Sequence, residues 1–120
     1  MRRSDAFVFP SIRELGAGVV IEAMASGLPC IVTNYGAPGD LAANGRGIRI
    51  PMSDINGLIT AFRTEIEACV LGQEDISSMA EKAVSYAASL YDWNQKSAYT
   101  LRLYKALLDN KSLSDLQDYA

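Results

Sequence analysis

Two carboxylates, Glu14 and Glu22, stand eight positions apart and bracket the segment Leu15-Gly-Ala-Gly-Val-Val-Ile21. A carboxylate can accept hydrogen bonds and oppose nearby positive charge. Gly16 and Gly18 flank Ala17, and from Gly18 onward Val20, Ile21, Met24 and Ala25 follow the spacing of one helical face. A helix that starts there leaves its first N–H groups without intrahelical acceptors, and its macrodipole adds partial positive charge. An anion such as a phosphate is attracted to that point. Glu14 precedes the entrance and Glu22 lies about one turn inside it.

Either glutamate taken alone reads as an ordinary solvated side chain, because a carboxylate near a helix N-terminus stabilises the helix without any ligand. The surrounding elements give the pair its meaning. Ala6 to Phe9 is an apolar run of β-formers, closed at Pro10 by the loss of a backbone donor. After the helix, Ser26-Gly27 supplies a stop and Pro29 prevents continuation, so Cys30-Ile-Val-Thr33 reads as a second buried strand. Strand, helix and strand form a βαβ unit with parallel strands and a right-handed crossover, whose ligands belong at the carboxyl ends of the strands. Pro10 to Gly18 and Asn34 to Asp40 occupy that end. The second stretch, Asn34-Tyr-Gly-Ala-Pro-Gly-Asp40, is read as a turn-rich loop forming a second wall, with Tyr35 and Asp40 as loop residues rather than ligand contacts.

Further on, Asp40 to Asn44 predicts one or two helical turns ended by Gly45, and Gly47 to Pro51 predicts a third short strand at or near a sheet edge. Ser53 or Asp54 can cap a helix whose buried face is Ile55, Ile59, Phe62, Ile66, Cys69 and Val70, terminated by Gly72. Another helix starts near Asp75 with Ile76, Met79, Ala83, Ala87 and Leu90 on one face. Asp92-Trp-Asn-Gln95 has the form of a capping box opening a last helix with Ala98, Leu101, Tyr104, Ala106 and Leu108 inward, and Trp93 as a packing anchor. Residues 110–120 are a polar tail. The predicted fold class is α/β: a partial Rossmann-like domain over residues 1–109 with a short three-stranded parallel sheet and C-terminal helices.

The joined pattern Glu14-x7-Glu22, Ala23-Met-Ala-Ser-Gly-Leu-Pro-Cys-Ile-Val-Thr33 and Gly36-Ala-Pro-Gly-Asp40 resembles the donor-binding half of retaining glycosyltransferases of the GT-B fold, family 4. Tyr91-Asp-Trp93 and the Leu103-Tyr104 helix extend the resemblance over most of positions 4–109. The resemblance implies that Glu14 is the catalytic carboxylate beside the transferred sugar. It implies that Glu22 binds the donor's ribose hydroxyls, and that Gly16, Ala17, Gly18 and Val19 present N–H groups to sugar and diphosphate. It also implies transfer from a nucleotide-sugar donor to an acceptor held by another domain. One departure stands out: many members have Gly-Phe-Gly directly after the first glutamate, whereas Leu15-Gly-Ala-Gly18 displaces the glycines.

Other chemistries fit poorly. A dinucleotide fingerprint requires a third glycine where Ile21 stands and an acidic residue after the second strand, where Thr33-Asn34 stand. There is no Gly-Lys-Ser or Gly-Lys-Thr phosphate loop. The chain contains no histidine, so Ser11 and Ser26 lack that base for covalent hydrolysis and are read as structural. No Asp-x-Asp motif and no zinc spacing occur, so neither metal nor cofactor is expected. Cys30 and Cys69 read as buried small hydrophobes. A net charge of −3 gives no basis for a nucleic-acid surface.

No apolar run approaches a membrane span, and Met1-Arg-Arg-Ser-Asp5 is too short and polar for a signal peptide, so a cytoplasmic location is expected. The early first strand suggests part of a larger two-domain enzyme, inactive by itself. The alternative is a non-catalytic nucleotide-sugar or anion-binding module, or an interaction subunit. The open edge of the first strand further suggests a homo-oligomer.

Overall fold

The computed structural model describes Met1 and residues 3–109, in two compact units, Met1–Ala88 and a second beginning at Ser89. In the first unit, β1 (Phe7–Phe9), β2 (Cys30–Thr33) and β3 (Gly47–Ile50) form a parallel sheet in the order β1-β2-β3. Phe7 pairs with Cys30, and Cys30 with Gly47. Gly47 is required by this close approach, since a Cβ there would lie 2.5 Å from the Cys30 carbonyl oxygen and 3.1 Å from Ala42 Cβ.

Alternation along the strands sends side chains to two cores. On one face, Cys30 and Val32, with Phe7 and Phe9 beside them, meet α1 (Gly18–Ala25), α2 (Gly36–Leu41) and α4 (Ile76–Tyr91). Val20 and Met24 of α1 are fully buried there, each contributing about 1.5–3 kcal/mol relative to exposure. On the other face, Ile31, Ile48 and Ile50 pack with Leu58, Ala61, Phe62 and Cys69 of α3 (Ile55–Val70). This is the predicted Rossmann-like α/β arrangement, with helices covering both faces of a parallel sheet.

The helix ends are set locally. Gly27, at φ 75°, stops α1, and its N–H bonds Met24 O while Leu28 N bonds Ala23 O. Asp54 caps α3 by accepting from Gly57 N at 2.7 Å, and Asp75 accepts from Ser78 N at 3.0 Å at the head of α4. Arg46 closes α2, donating Nε to Leu41 O at 2.7 Å and a terminal nitrogen to Asp40 O at 2.9 Å. Its guanidinium stacks 3.8 Å from the Tyr86 ring centroid, which ties α2 to α4.

Several expectations are corrected. The segment read as a loop to Asp40 is helical from Gly36, because Pro38 lies in the first turn, where a missing N–H costs nothing. On α1, Ala23 is buried and Ala25 exposed. On α3, Ile55, Ile59, Ile66 and Val70 are exposed, because the apolar stripe is wider than the face the sheet covers. Ile55, Ile59 and Ile66 instead line an open groove of about 690 Å³ with Val8, Pro10 and Phe62. Ala83 and Ala87 of α4 are buried as expected, while the Leu90 side chain lies outside the described residues, as does the predicted tail.

In the second unit, α5 (Trp93–Leu108) starts at Asp92, whose carboxylate accepts from Asn94 N at 2.9 Å and Gln95 N at 3.3 Å. Its less exposed side runs through Tyr99, Leu103 and Ala106, spaced four and three apart, rather than through Leu101, Tyr104 and Leu108. Trp93 is 83% exposed at the first helical position and anchors no core.

Candidate functional site

β1 delivers the chain at Pro10 to the carboxyl edge of the sheet, and the segment from Ser11 to Ala17 carries it to the start of α1. A hydrogen bond from the central strand fixes the first part of this loop. Thr33, fully buried at the end of β2, donates its hydroxyl to the carbonyl of Ser11. Ser11 Oγ in turn donates to Glu14 Oε1 at 3.0 Å. Glu14 itself is exposed, with a carboxylate held on one oxygen.

Past Glu14, Leu15 is fully exposed, and the chain then turns in at Ala17. Ala17 adopts the left-handed conformation at φ 47° and ψ 43°, and its methyl is buried in the α1 side of the core. The conformation that favours glycine therefore falls on the alanine, and neither Gly16 nor Gly18 has a positive φ. A Cβ on Gly16 or Gly18 would meet no heavy atom within 4 Å. Both positions border open space.

The carbonyl of Ala17 accepts from Val20 N at 2.9 Å and starts α1. Among the described residues no side chain caps this helix, and its first turn contains no acidic residue. Among the described residues the N–H groups of Gly18 and Val19 take no acceptor. The positive pole of α1 thus lacks a protein anion, beside a loop that carries a held carboxylate. Glu22 follows in α1 with its side chain exposed, while its carbonyl accepts from the Ser26 hydroxyl at 2.8 Å. The structure therefore gathers Glu14, Gly16, Ala17, Gly18 and Val19 on one loop and helix entrance, with Glu22 on the helix that leaves it.

Across the sheet end, the second wall is the start of α2. Tyr35 is its exposed N-cap residue, and Gly39 packs so closely that a Cβ would lie 3.0 Å from Asn34 Oδ1. Asp40 is exposed, and its carbonyl is taken by Arg46. Arg13 is exposed beside Glu14. Among the described residues, no group of three or more His, Cys, Asp or Glu side chains could hold a metal ion. Cys30 is sealed away from this chemistry: burial pushes its thiol from 9.0 up to about 12. Burial, with Glu74 and Glu65 nearby, also raises Cys69, which is only half-buried.

Local pattern reading missed Thr33, taken only as the end of a strand, and assigned Ser11 a structural part alone. The available signal was a hydroxyl residue closing an apolar strand, where the neighbouring strand ends in Pro-Ser.

The family described as "Glycosyl transferases group 1" matches residues 1–93, a span that contains the whole loop, α1 and the sheet. The chain belongs to this family. It is 31% identical over 107 residues to a "Glycogen synthase" of Mycobacterium tuberculosis, covering 88% of this chain and 25% of that protein. It is 39% identical over 63 residues to the Escherichia coli "UDP-Gal:alpha-D-GlcNAc-diphosphoundecaprenol alpha-1,3-galactosyltransferase", covering 52% of this chain and 16% of that protein. With a "Sucrose synthase" of Nitrosomonas europaea it shares 31% identity over 88 residues, covering 72% of this chain and 11% of that protein. The chain spans about a quarter, or less, of the length of these relatives. Among the described residues no helix is long and apolar enough to cross a membrane.

Proposed function

We propose that this chain is the nucleotide-sugar-binding part of a retaining glycosyltransferase of the GT-B fold, family 4, working in the cytoplasm with an acceptor supplied by a second domain. The observation that carries the reading is the uncapped entrance of α1, where free N–H groups at Gly18 and Val19 lie just past a carboxylate held at Glu14.

Two opposite charges grow as a sugar–phosphate bond breaks. The departing diphosphate gains negative charge, which the N–H groups of Gly16 to Val19 and the helix pole receive. The anomeric carbon gains positive charge, which Glu14 opposes while orienting sugar hydroxyls. Glu22 accepts from the ribose hydroxyls. No metal or cofactor enters this scheme. The clamp on the donor needs a second wall carrying the acceptor, so this chain alone transfers no sugar.

Calorimetric titration of the purified chain with UDP-galactose, ADP-glucose, UDP and ADP tests the reading. Binding of a nucleotide sugar, tighter than the matching diphosphate and weakened toward the diphosphate's affinity by Glu14→Gln, is expected. Equal binding of sugar-bearing and sugar-free nucleotides, or none at all, refutes it. Sugar transfer by the isolated chain refutes the two-domain requirement.

Among the described residues β1 is an edge strand, and Val8 and Pro10 line the apolar groove along α3 together with Arg63 and Glu67. A two-fold copy of this chain can bury Val8, Ile59 and Ile66 while setting the arginine of each copy against the glutamate of the other.

A further inference from the structure

We propose that Thr33 and Ser11 are positioning residues that aim the Glu14 carboxylate, an inference that rests on the reading of Glu14 as the sugar-side group. Glu14 sits on an exposed loop, and a glutamate side chain that must be ordered only when the ligand arrives gives up rotamer entropy at that moment. The structure orders it beforehand.

The order is transmitted through two hydroxyls. β2 is the middle strand of the sheet and is buried along its whole length, so Thr33 presents a fully buried hydroxyl, held by the sheet, at the base of the loop. Its hydroxyl donates to the Ser11 carbonyl across 22 positions of sequence, which fixes the loop's first turn to the sheet. The hydroxyl of the same Ser11 spends its single proton on Glu14 Oε1 at 3.0 Å. Both bonds meet on one residue, at its backbone and at its side chain. The carboxylate is thereby anchored at Oε1, and Oε2 is left to accept from a ligand hydroxyl.

A Thr33 hydroxyl that served folding alone would need only a satisfied bond, and a Ser11 that served the turn alone would need no partner at Glu14. The arrangement ends on Glu14, the carboxylate nearest in sequence before the free N–H groups of α1.

The test uses the full 120-residue chain, its Ser11→Ala, Ser11→Thr, Thr33→Val, Thr33→Ser and Glu14→Gln variants, and UDP-galactose against UDP and ADP-glucose against ADP as probes. Two quantities are read: the ratio of sugar-nucleotide to diphosphate affinity, and the Glu14 Hα–Hβ couplings, which report whether its side chain holds one rotamer. Ser11→Ala is expected to average the couplings and to lower the ratio about tenfold, the size of losing one hydrogen bond to a charged group. Diphosphate affinity should stay within about twofold, and Ser11→Thr should restore both quantities. Thr33→Val should reproduce Ser11→Ala in part, and Thr33→Ser should not. Unchanged couplings in Ser11→Ala overturn the positioning. So does an unchanged ratio in Ser11→Ala when Glu14→Gln has lowered it. A ratio that Glu14→Gln leaves intact removes the sugar contact itself, and with it the role of both hydroxyls, while the couplings still report whether Ser11 holds the side chain.

Discussion

Replacing Gly18 by alanine separates what the fold requires of this loop from what a ligand requires. Gly18 opens α1, has no positive φ, and a methyl there would meet no heavy atom within 4 Å. The folded state therefore has room for the methyl, and the unfolded chain loses freedom, so Gly18→Ala should stabilise the protein by about 0.4–1 kcal/mol. For a domain of this size that is a rise in Tm of about 2–6 °C. A diphosphate approaching the N–H groups of Gly18 and Val19 must come through that same open space. A methyl standing there lengthens or breaks contacts to a charged oxygen worth about 1.5–3 kcal/mol each, a loss of about ten- to a hundredfold in affinity. Circular dichroism melting and calorimetric titration with UDP and ADP read the two effects on one sample. Opposite signs, a more stable protein that binds more weakly, are the expected result. A destabilised variant would show that the space is not open, and unchanged affinity in a stabilised one would remove the diphosphate from this helix entrance. Gly16→Ala should behave alike, for the same reasons.

Glu22→Ala should weaken binding of sugar-bearing and sugar-free nucleotides alike, by about 1–3 kcal/mol, and unchanged affinity would return Glu22 to a solvated helix face. Cys30 predicts an alkaline signature. Its folded thiol, raised by burial to about 12 from 9.0, keeps a proton that the unfolded chain releases. Its contribution is complete below about pH 9 and falls by at most about 1.4 kcal/mol per pH unit as pH rises toward 12. Urea unfolding across pH 8–10.5 should show a steeper decline for the native chain than for Cys30→Ala, and equal slopes would contradict the burial argument. Sedimentation should find a dimer at micromolar concentration and a monomer for Val8→Lys, which charges the open strand edge; a monomeric native chain would refute the two-fold pairing.

The strands could be read from sequence because each is an apolar run with hard punctuation: Pro10 closes β1, Pro29 precedes β2 and Pro51 follows β3. The start of α2 could not, because Gly36-Ala-Pro-Gly39 carries turn-forming residues, and their helical use depends on Pro38 falling where no N–H is needed. The inward face of α3 differs from its spacing for another reason. Its stripe from Ile55 to Val70 serves the sheet on one flank and the open groove on the other, and spacing alone does not divide a wide stripe.

The site shows the same division more sharply. Glu14, Glu22 and the glycine loop stand out by type and spacing, whereas the left-handed conformation of the loop falls on Ala17, whose methyl is buried, and on neither flanking glycine. An alanine in that conformation costs about 1–2 kcal/mol, and the burial of its methyl offsets part of that. The flanking glycines are thus free of any conformational duty, and their lack of side chains faces solvent at the helix entrance. Thr33 makes the complementary case. Its hydroxyl reaches Ser11 only because parallel pairing sets the ends of β1 and β2 side by side, a relation that no window along the chain contains. The carboxylate is visible locally, whereas the direction in which it points is a property of the sheet.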